Sequence, residues 1–253
     1  TYTAPGTYTI SAVVTDSTNL RSTYIVTITV NAPPTLSSTA AITTSPVLSD
    51  LRVNLDAGNI NSYSGSGTAW TDLSGNNKNG TWQQSPAFNK SNGGTITIGN
   101  STSQFMTSNG LGALNTFTAE AWVKFNSIPT SDNCILSDKY NAVYINMAIC
   151  FGSSKVWAGY WNSSNGWVQS RATASIPTVG VWYHYVYTVS LSGTTYSSIL
   201  YENGSAIGTP VTSTVAPNSG NTGFIVGTNW RADGTVVAGE IAVVRVYTRP
   251  LSA

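Results

Sequence analysis

At the usual ~100 to 200 residues per domain, the 253-residue chain has room for one large β domain or a domain and a half. Its 11 Lys+Arg against 10 Asp+Glu leave a net charge of +1 with only 8% charged residues, a field too weak to steer phosphate or acidic polymers, so nucleic acid is not an expected partner. The 41% hydrophobic and 11% aromatic residues exclude a disordered chain, and no apolar run approaches the ~18 residues of a membrane span, so no membrane insertion is expected.

Thr1 to Gly6 carry neither a basic region nor an apolar signal core, and the chain begins without Met, so it is read as a piece of a longer polypeptide. Two alternating runs follow, Thr7–Val14 and Ser22–Val30, separated by Thr15–Arg21, which predicts a β-hairpin. In the second run Tyr24, Val26, Ile28 and Val30 share one face. Two strands alone are marginal in water, so this hairpin needs partners, either from residues upstream or from a neighbouring molecule. Asn31-Ala32-Pro33-Pro34 ends the ladder because proline has no N–H to donate, and residues 31–47, rich in Ser, Thr and Ala, are read as a linker.

From residue 48 onward the pattern is almost entirely strand and turn. Strands are predicted at Arg52–Leu55, Gly94–Ile98, Phe105–Ser108, Thr116–Phe125, Cys134–Lys139, Val143–Phe151, Lys155–Tyr160, Trp167–Ala172, Trp182–Ser190, Tyr196–Glu202, Thr222–Thr228 and Gly239–Tyr247. Many short strands spaced by Gly, Asn and Ser turns imply an all-β fold, an antiparallel sandwich of two sheets. No P-loop, dinucleotide fingerprint or long helix is expected.

Several stretches are similar to the concanavalin A-like lectin/glucanase jelly roll in its laminin-G-like form. They are Leu55-Asp56-Ala57-Gly58-Asn59 with Trp70–Thr81, the strand Phe117–Lys124, the strand Trp182-Tyr183-His184, the turn Tyr201-Glu202-Asn203-Gly204 and the closing strand Gly239–Ser252. Asn-Gly supplies the positive φ angles that a two-residue hairpin turn demands. These ordered matches imply a jelly roll over residues 48–253. Pro5–Ile10 with Val14-Thr15-Asp16 and the following strand resemble the last third of a PKD-like or Ig-like domain, which implies that residues 1–30 are its C-terminal strands. The wording of Leu55–Asn59, Ser66–Trp82 and Ala242–Ala253 is similar to copies in bacteriophage and other viral structural proteins. That resemblance implies a virion component such as a fibre, tail or capsid-decorating protein, with a chain that continues past Ala253.

Glycoside hydrolysis needs two carboxylates a few ångströms apart. The three Glu residues, Glu120, Glu202 and Glu240, stand alone in sequence, and the Glu-x-Asp-x-x-Glu strand of glucanases is missing, so no enzyme activity and no catalytic residues are expected. His184, the single histidine, is read as a packed structural residue. Laminin-G-like relatives often bind Ca²⁺, but the acidic positions of that pattern are replaced here by Ile98–Phe105 and by Ala242. Asp56, Asp72, Asp138 and Asp233 remain, and isolated Asp in Gly/Asn loops reads as a turn former, so neither a metal nor another cofactor is expected.

Sugar recognition uses aromatic faces with a few placed polar groups. The densest stretch runs from Val156 to Trp167, where Trp157, Gly159 and Trp161 share one strand face and Gly159 would leave a shallow slot between two rings. Trp157, Tyr160, Trp161, Asn162, Asn165 and Trp167 are the candidate carbohydrate-binding residues, with Trp230 and Arg231 in a second loop. Core or surface packing of each Trp is the competing reading. Cys134 and Cys150 flank a hairpin centred near Ala142, and both a cross-strand disulfide and a buried reduced pair fit that register.

The expected protein is therefore a non-enzymatic virion or extracellular surface component. Its partners would be neighbours in a homo-oligomeric assembly and a host-surface glycan or protein. A purely architectural assembly subunit and a bacterial adhesin or filament subunit are the alternatives. Five Asn-x-Ser/Thr sites, at Asn79, Asn89, Asn100, Asn162 and Asn203, matter only in a glycosylating secretory pathway.

Overall fold

In the computed structural model, residues 6–15, 21–30, 47–99, 103–129, 132–139, 145–164, 166–171, 176–218, 223–229, 231–232 and 236–252 are described. The chain divides into two compact units, Thr1–Pro46 and Val47–Ala253. In the first unit, β1 (Gly6–Thr15) and β2 (Arg21–Val30) form an antiparallel hairpin in unbroken register, from Gly6 opposite Val30 to Thr15 opposite Arg21. Alternating Thr and Val/Ile residues account for its ladder, since β-branched side chains suit the pleat.

The second unit is the predicted antiparallel sandwich. Its strands are β3 (Leu51–Asp56), β4 (Ala69–Trp70), β5 (Gly80–Trp82), β6 (Ala87–Asn89), β7 (Thr95–Ile98), β8 (Met106–Asn109), β9 (Phe117–Phe125), β10 (Cys134–Lys139) and β11 (Ala148–Gly152). They continue as β12 (Lys155–Trp161), β13 (Trp167–Arg171), β14 (Trp182–Ser192), β15 (Thr195–Glu202), β16 (Ser205–Ala206), β17 (Val211–Ser213), β18 (Gly223–Val226) and β19 (Gly239–Tyr247). One sheet has eight strands in the order β13-β12-β11-β10-β18-β8-β5-β4. The other has nine: the path β16-β15-β14-β9-β19-β7-β6, with β17 added beside β15 and β3 beside β19. Among the described residues the only helix is one 3₁₀ turn, Ser91–Gly93.

Period-two alternation builds the core between the sheets. On β9, Phe117, Ala119, Ala121, Val123 and Phe125 point inward, and Thr118, Glu120, Trp122 and Lys124 point outward. Tyr185, Tyr187 and Val189 of β14 and Ile241, Val244 and Val246 of β19 face the same core, as do Ile149 and Phe151 of β11 and Val156, Ala158 and Tyr160 of β12 from the other sheet. A bulge between Ile241 and Val243 resets the phase of β19. Turn chemistry closes the hairpins, with Asn203 at φ 50° and Gly204 at φ 81° between β15 and β16.

The predicted strand Val143–Phe151 is corrected in its described part, where it is strand only from Ala148. The buried Asp138 carboxylate accepts the backbone N–H groups of Asn146 (2.9 Å) and Met147 (2.7 Å), which turns that segment away from the ladder. The strand predicted at Thr222–Thr228 stops at Val226, because Gly227 takes a positive φ of 87°. Strands β4, β5, β6, β16 and β17 have two or three residues each, too few to show an alternation in sequence.

Candidate functional site

On the eight-stranded sheet, the residues of β11, β12 and β13 that point away from the core form a second, smaller cluster. Ala148, Cys150 and Trp157 are buried there with Cys134 and Ile145, and Trp161 and Trp167 pack against them half-buried. Cys134 lies opposite Cys150 in the register and is joined to it by a disulfide, which pins β10 to β11 under the tryptophans. Trp167 meets Trp157 edge-on at 5.4 Å and lies tilted to Trp161 at 5.7 Å.

The slot expected above Gly159 is occupied by the molecule's own ring. A Cβ on Gly159 would sit 2.6 Å from the Val168 carbonyl oxygen and 3.0 Å from the Trp167 ring, so the glycine lets Trp167 fold down onto the strand. Trp157, at 5% exposure, is packing rather than an open platform. Tyr160 is corrected more sharply: it is fully buried on the core side, where burial pushes its phenol up to about 12, so it presents nothing to a sugar. Asn162 is buried as well, and its side-chain oxygen accepts the N–H groups of Ser164 (3.1 Å) and Gly166 (2.7 Å), the work of a turn former. Arg231 is exposed, with its N–H bound to the Asn229 side-chain oxygen at 3.0 Å. Asn165, Trp230 and Asp233 lie outside the described residues. Of the candidates, Trp161 and Trp167 remain as aromatic surface.

A charged network on the outward face of the nine-stranded sheet escaped the sequence reading. Glu120 on β9 accepts a hydrogen bond from Arg245 Nη1 at 2.9 Å and another from His184 Nε2 at 3.1 Å. Arg245 Nε donates to Asn54 Oδ1 at 3.0 Å, and the His184 ring stacks on Trp122 at 4.6 Å. Burial alone would raise the Glu120 carboxyl, but the His184 hydrogen bond and the charge and hydrogen bond of Arg245 outweigh it and hold it below the usual value. Glu240 is likewise held low against its own burial by Lys124 at 2.6 Å and by the Thr95 hydroxyl. A cavity of about 170 Å³ lies over Glu120 and His184, closed by Val186, Tyr201 and the C-terminal Leu251 and Ser252. His184 is thus paired and half-exposed rather than simply packed. The partners are 64 and 125 residues apart in sequence, and only the registers Trp122–His184 and Glu120–Arg245 unite them.

Two further carboxylates, Asp72 and Asp56, organise backbone. Asp72 accepts from Asn54 N, Ser74 N, Ser74 Oγ and Lys78 N, and Asp56 accepts from Gly58 N. Among the described residues no three His, Cys, Asp or Glu side chains gather as metal ligands.

A two-sheet antiparallel jelly roll with polar loops defines a lectin-like class of β-sandwich. Within it, residues 99–253 match the laminin-G-type model described as the concanavalin A-like lectin/glucanases superfamily, and the chain belongs to that family. Domain 4 of AbnA, an extracellular GH43 arabinanase from Geobacillus stearothermophilus solved with arabinotriose, superposes with TM-score 0.61 at 20% identity over 80% of this chain and 94% of that one. The receptor-binding domain of botulinum neurotoxin type G gives 0.60 at 13% identity over 81% of this chain and 49% of that one. Trypanosoma rangeli sialidase, with 2,3-difluorosialic acid bound, gives 0.56 at 13% over 80% and 31%. The chain thus spans about half of the neurotoxin domain and about a third of the sialidase, and at these identities the likeness is one of fold. No curated protein matches the chain in sequence.

Proposed function

We propose that this protein is a non-enzymatic surface component, a virion or extracellular structural protein whose jelly roll attaches to a host-surface glycan or protein. The observation that carries this reading is the half-buried pair Trp161 and Trp167, held at the surface over a disulfide-pinned hairpin. Rings fixed in this way lose little freedom on stacking against a sugar. Membership of a lectin-bearing family and the fold likeness to a domain solved with arabinotriose support the ligand class. The Cys134–Cys150 bond fits an oxidising compartment, and no helix among the described residues is long and apolar enough to cross a membrane.

The non-enzymatic part rests on how the carboxylates are used. Both oxygens of Glu120 are committed, one to the Arg245 guanidinium and one to the His184 ring, which lowers its carboxyl and makes it a poor proton donor near neutrality. Glu202 accepts the Tyr185 hydroxyl at 2.9 Å, and Glu240 is paired with Lys124. The virion assignment rests on the wording of Leu55–Asn59, Ser66–Trp82 and Ala242–Ala253, and the hairpin Gly6–Val30 would belong to an Ig-like or PKD-like module of the same assembly.

The test is a broad glycan array probed with the whole chain, with and without Ca²⁺, beside the double variant Trp161→Ala/Trp167→Ala checked for folding by circular dichroism. Binding that disappears in the variant supports recognition at this surface. A blank array with folded protein overturns glycan attachment and leaves assembly as the role, and a Ca²⁺ requirement would overturn the metal-free reading.

A further inference from the structure

The residues between β3 and β4 and those around β6 enclose a second concavity, of about 300 Å³, lined by Ile60, Tyr63, Ser64, Ser66, Phe88 and Lys90 among others. That volume is at the lower end of small-molecule sites, the size of one sugar ring with its substituents. It lies far from the tryptophan pair in the fold. Strand β6 ends the nine-stranded sheet on one side, whereas β13, which carries Trp167, packs near β15 and β17 at the other.

Its walls are preorganised. Asn59 accepts the backbone N–H groups of Ser62 (2.8 Å) and Tyr63 (2.9 Å) on its carbonyl oxygen, and its side chain takes the N–H of Asn61 at 3.0 Å. The Ser62 hydroxyl donates to the Thr71 carbonyl at 2.6 Å, and the Tyr63 hydroxyl to Gly67 at 3.0 Å. Gly58 lets this loop touch the next one, since a Cβ there would run into the carbonyl oxygen of Gly93. Gly65, at φ 91°, brings its backbone against the Phe88 ring, which in turn lies 5.7 Å from Tyr63.

The chemistry of the lining is selective. Phe88 is a half-buried aromatic wall, and Ile60 stands 71% exposed at the rim, an apolar side chain that packing does not explain. Ser66 lines the pocket as well, as does Ser64, whose hydroxyl donates to the Ser66 carbonyl at 3.0 Å and keeps its oxygen as an acceptor. Lys90 is the only charged lining residue, and among the described residues it has no carboxylate partner. A cation beside an apolar wall and hydroxyls matches a ring with a CH face, hydroxyl groups and a negative charge. We infer that this pocket binds a monosaccharide unit bearing a carboxylate, such as a uronic or sialic acid residue, with its charge at Lys90 and its apolar face toward Phe88 and Ile60. The site does not depend on the Trp161/Trp167 surface and stands even if that surface binds nothing.

The test is a titration of the whole ¹⁵N-labelled chain with sodium glucuronate and N-acetylneuraminate, with methyl glucoside as the neutral control, followed by amide chemical shifts. The acids shift the amides of residues 57–66 and 87–90 at millimolar concentration. Affinity falls about fivefold in Lys90→Gln, as expected for one partly exposed charged hydrogen bond, and high salt weakens binding in the parent but not in that variant. Ile60→Asp, at an exposed position that leaves the fold intact, weakens binding by repulsion. The inference is overturned if the neutral sugar shifts the same amides equally, if the Lys90→Gln titration matches the parent, or if the shifts fall outside this pocket or are missing at about 50 mM.

Discussion

Replacing Glu120 by Gln keeps the side-chain shape and removes one charge, and the structure sets what that costs. The residue is 8% exposed, and its two oxygens take hydrogen bonds from Arg245 and His184. The change takes the neutralising carboxylate away from the Arg245 guanidinium, whose side chain is only 17% exposed, and leaves it neutral amide oxygens, such as that of Asn54, as partners. Breaking a fully buried pair costs about 3 to 5 kcal/mol, and partial exposure here reduces the expectation to about 2 to 3 kcal/mol. In a domain of this size that is a fall of about 5 to 10 °C in Tm, measured by circular dichroism at pH 7 and checked by urea denaturation. The pair Glu120→Leu/Arg245→Met should be less damaging than the sum of its single changes, since no charge is then left buried.

The sign of the pH dependence follows from the lowered carboxyl. Its contribution to stability is complete above the ordinary carboxylate value of 4.5 and is lost as pH falls through the lower value of the folded state. The gap between parent and Glu120→Gln should therefore be full at neutral pH and close in acid. A Tm within 1 °C of the parent at pH 7, or a gap that widens in acid, would refute the reasoning.

Three further outcomes follow from the same geometry. Gly159→Ala should cost about 1 to 3 kcal/mol in urea unfolding and red-shift the tryptophan fluorescence as Trp167 is lifted off the strand, and a neutral substitution would show that the ring is not seated there. Removing the disulfide as Cys134→Ala/Cys150→Ala, across a separation of 16 residues, should lower stability by about 3 kcal/mol, whereas an unchanged urea midpoint would mean that the bond restrains nothing. In the glycan experiments the two surfaces should separate, with Lys90→Gln sparing the array signal that needs Trp161 and Trp167, and loss of both in either variant would indicate a global defect.

The fold was legible because burial repeats every two residues and the second unit obeys that rule along its long strands. Phe117 to Phe125 reads as one inward and one outward row in sequence and forms the same rows in the sandwich. The Asn203-Gly204 turn was equally plain, since positive φ angles are a property of the residues themselves. The aromatic cluster was visible as composition, but its use was not. Gly159 flanked by two tryptophans suggests a slot only until Trp167, six residues after Trp161 and across a turn organised by Asn162, fills it.

Sequence by itself thus determined what most local segments favour: which runs tend to strand, where turns fall, and how sparsely charge is spread along the chain. Tertiary structure alone decided which distant side chains meet. Glu120, His184 and Arg245 each look solitary along the chain, and only the pairing of β9 with β14 and β19 joins them in one hydrogen-bonded, part-buried network. Lys90 gains its meaning in the same way, from Tyr63 and Phe88 brought to it by two loops in backbone contact. Strand register is a long-range property, set by the sum of core packing across both sheets, and no window of sequence contains it.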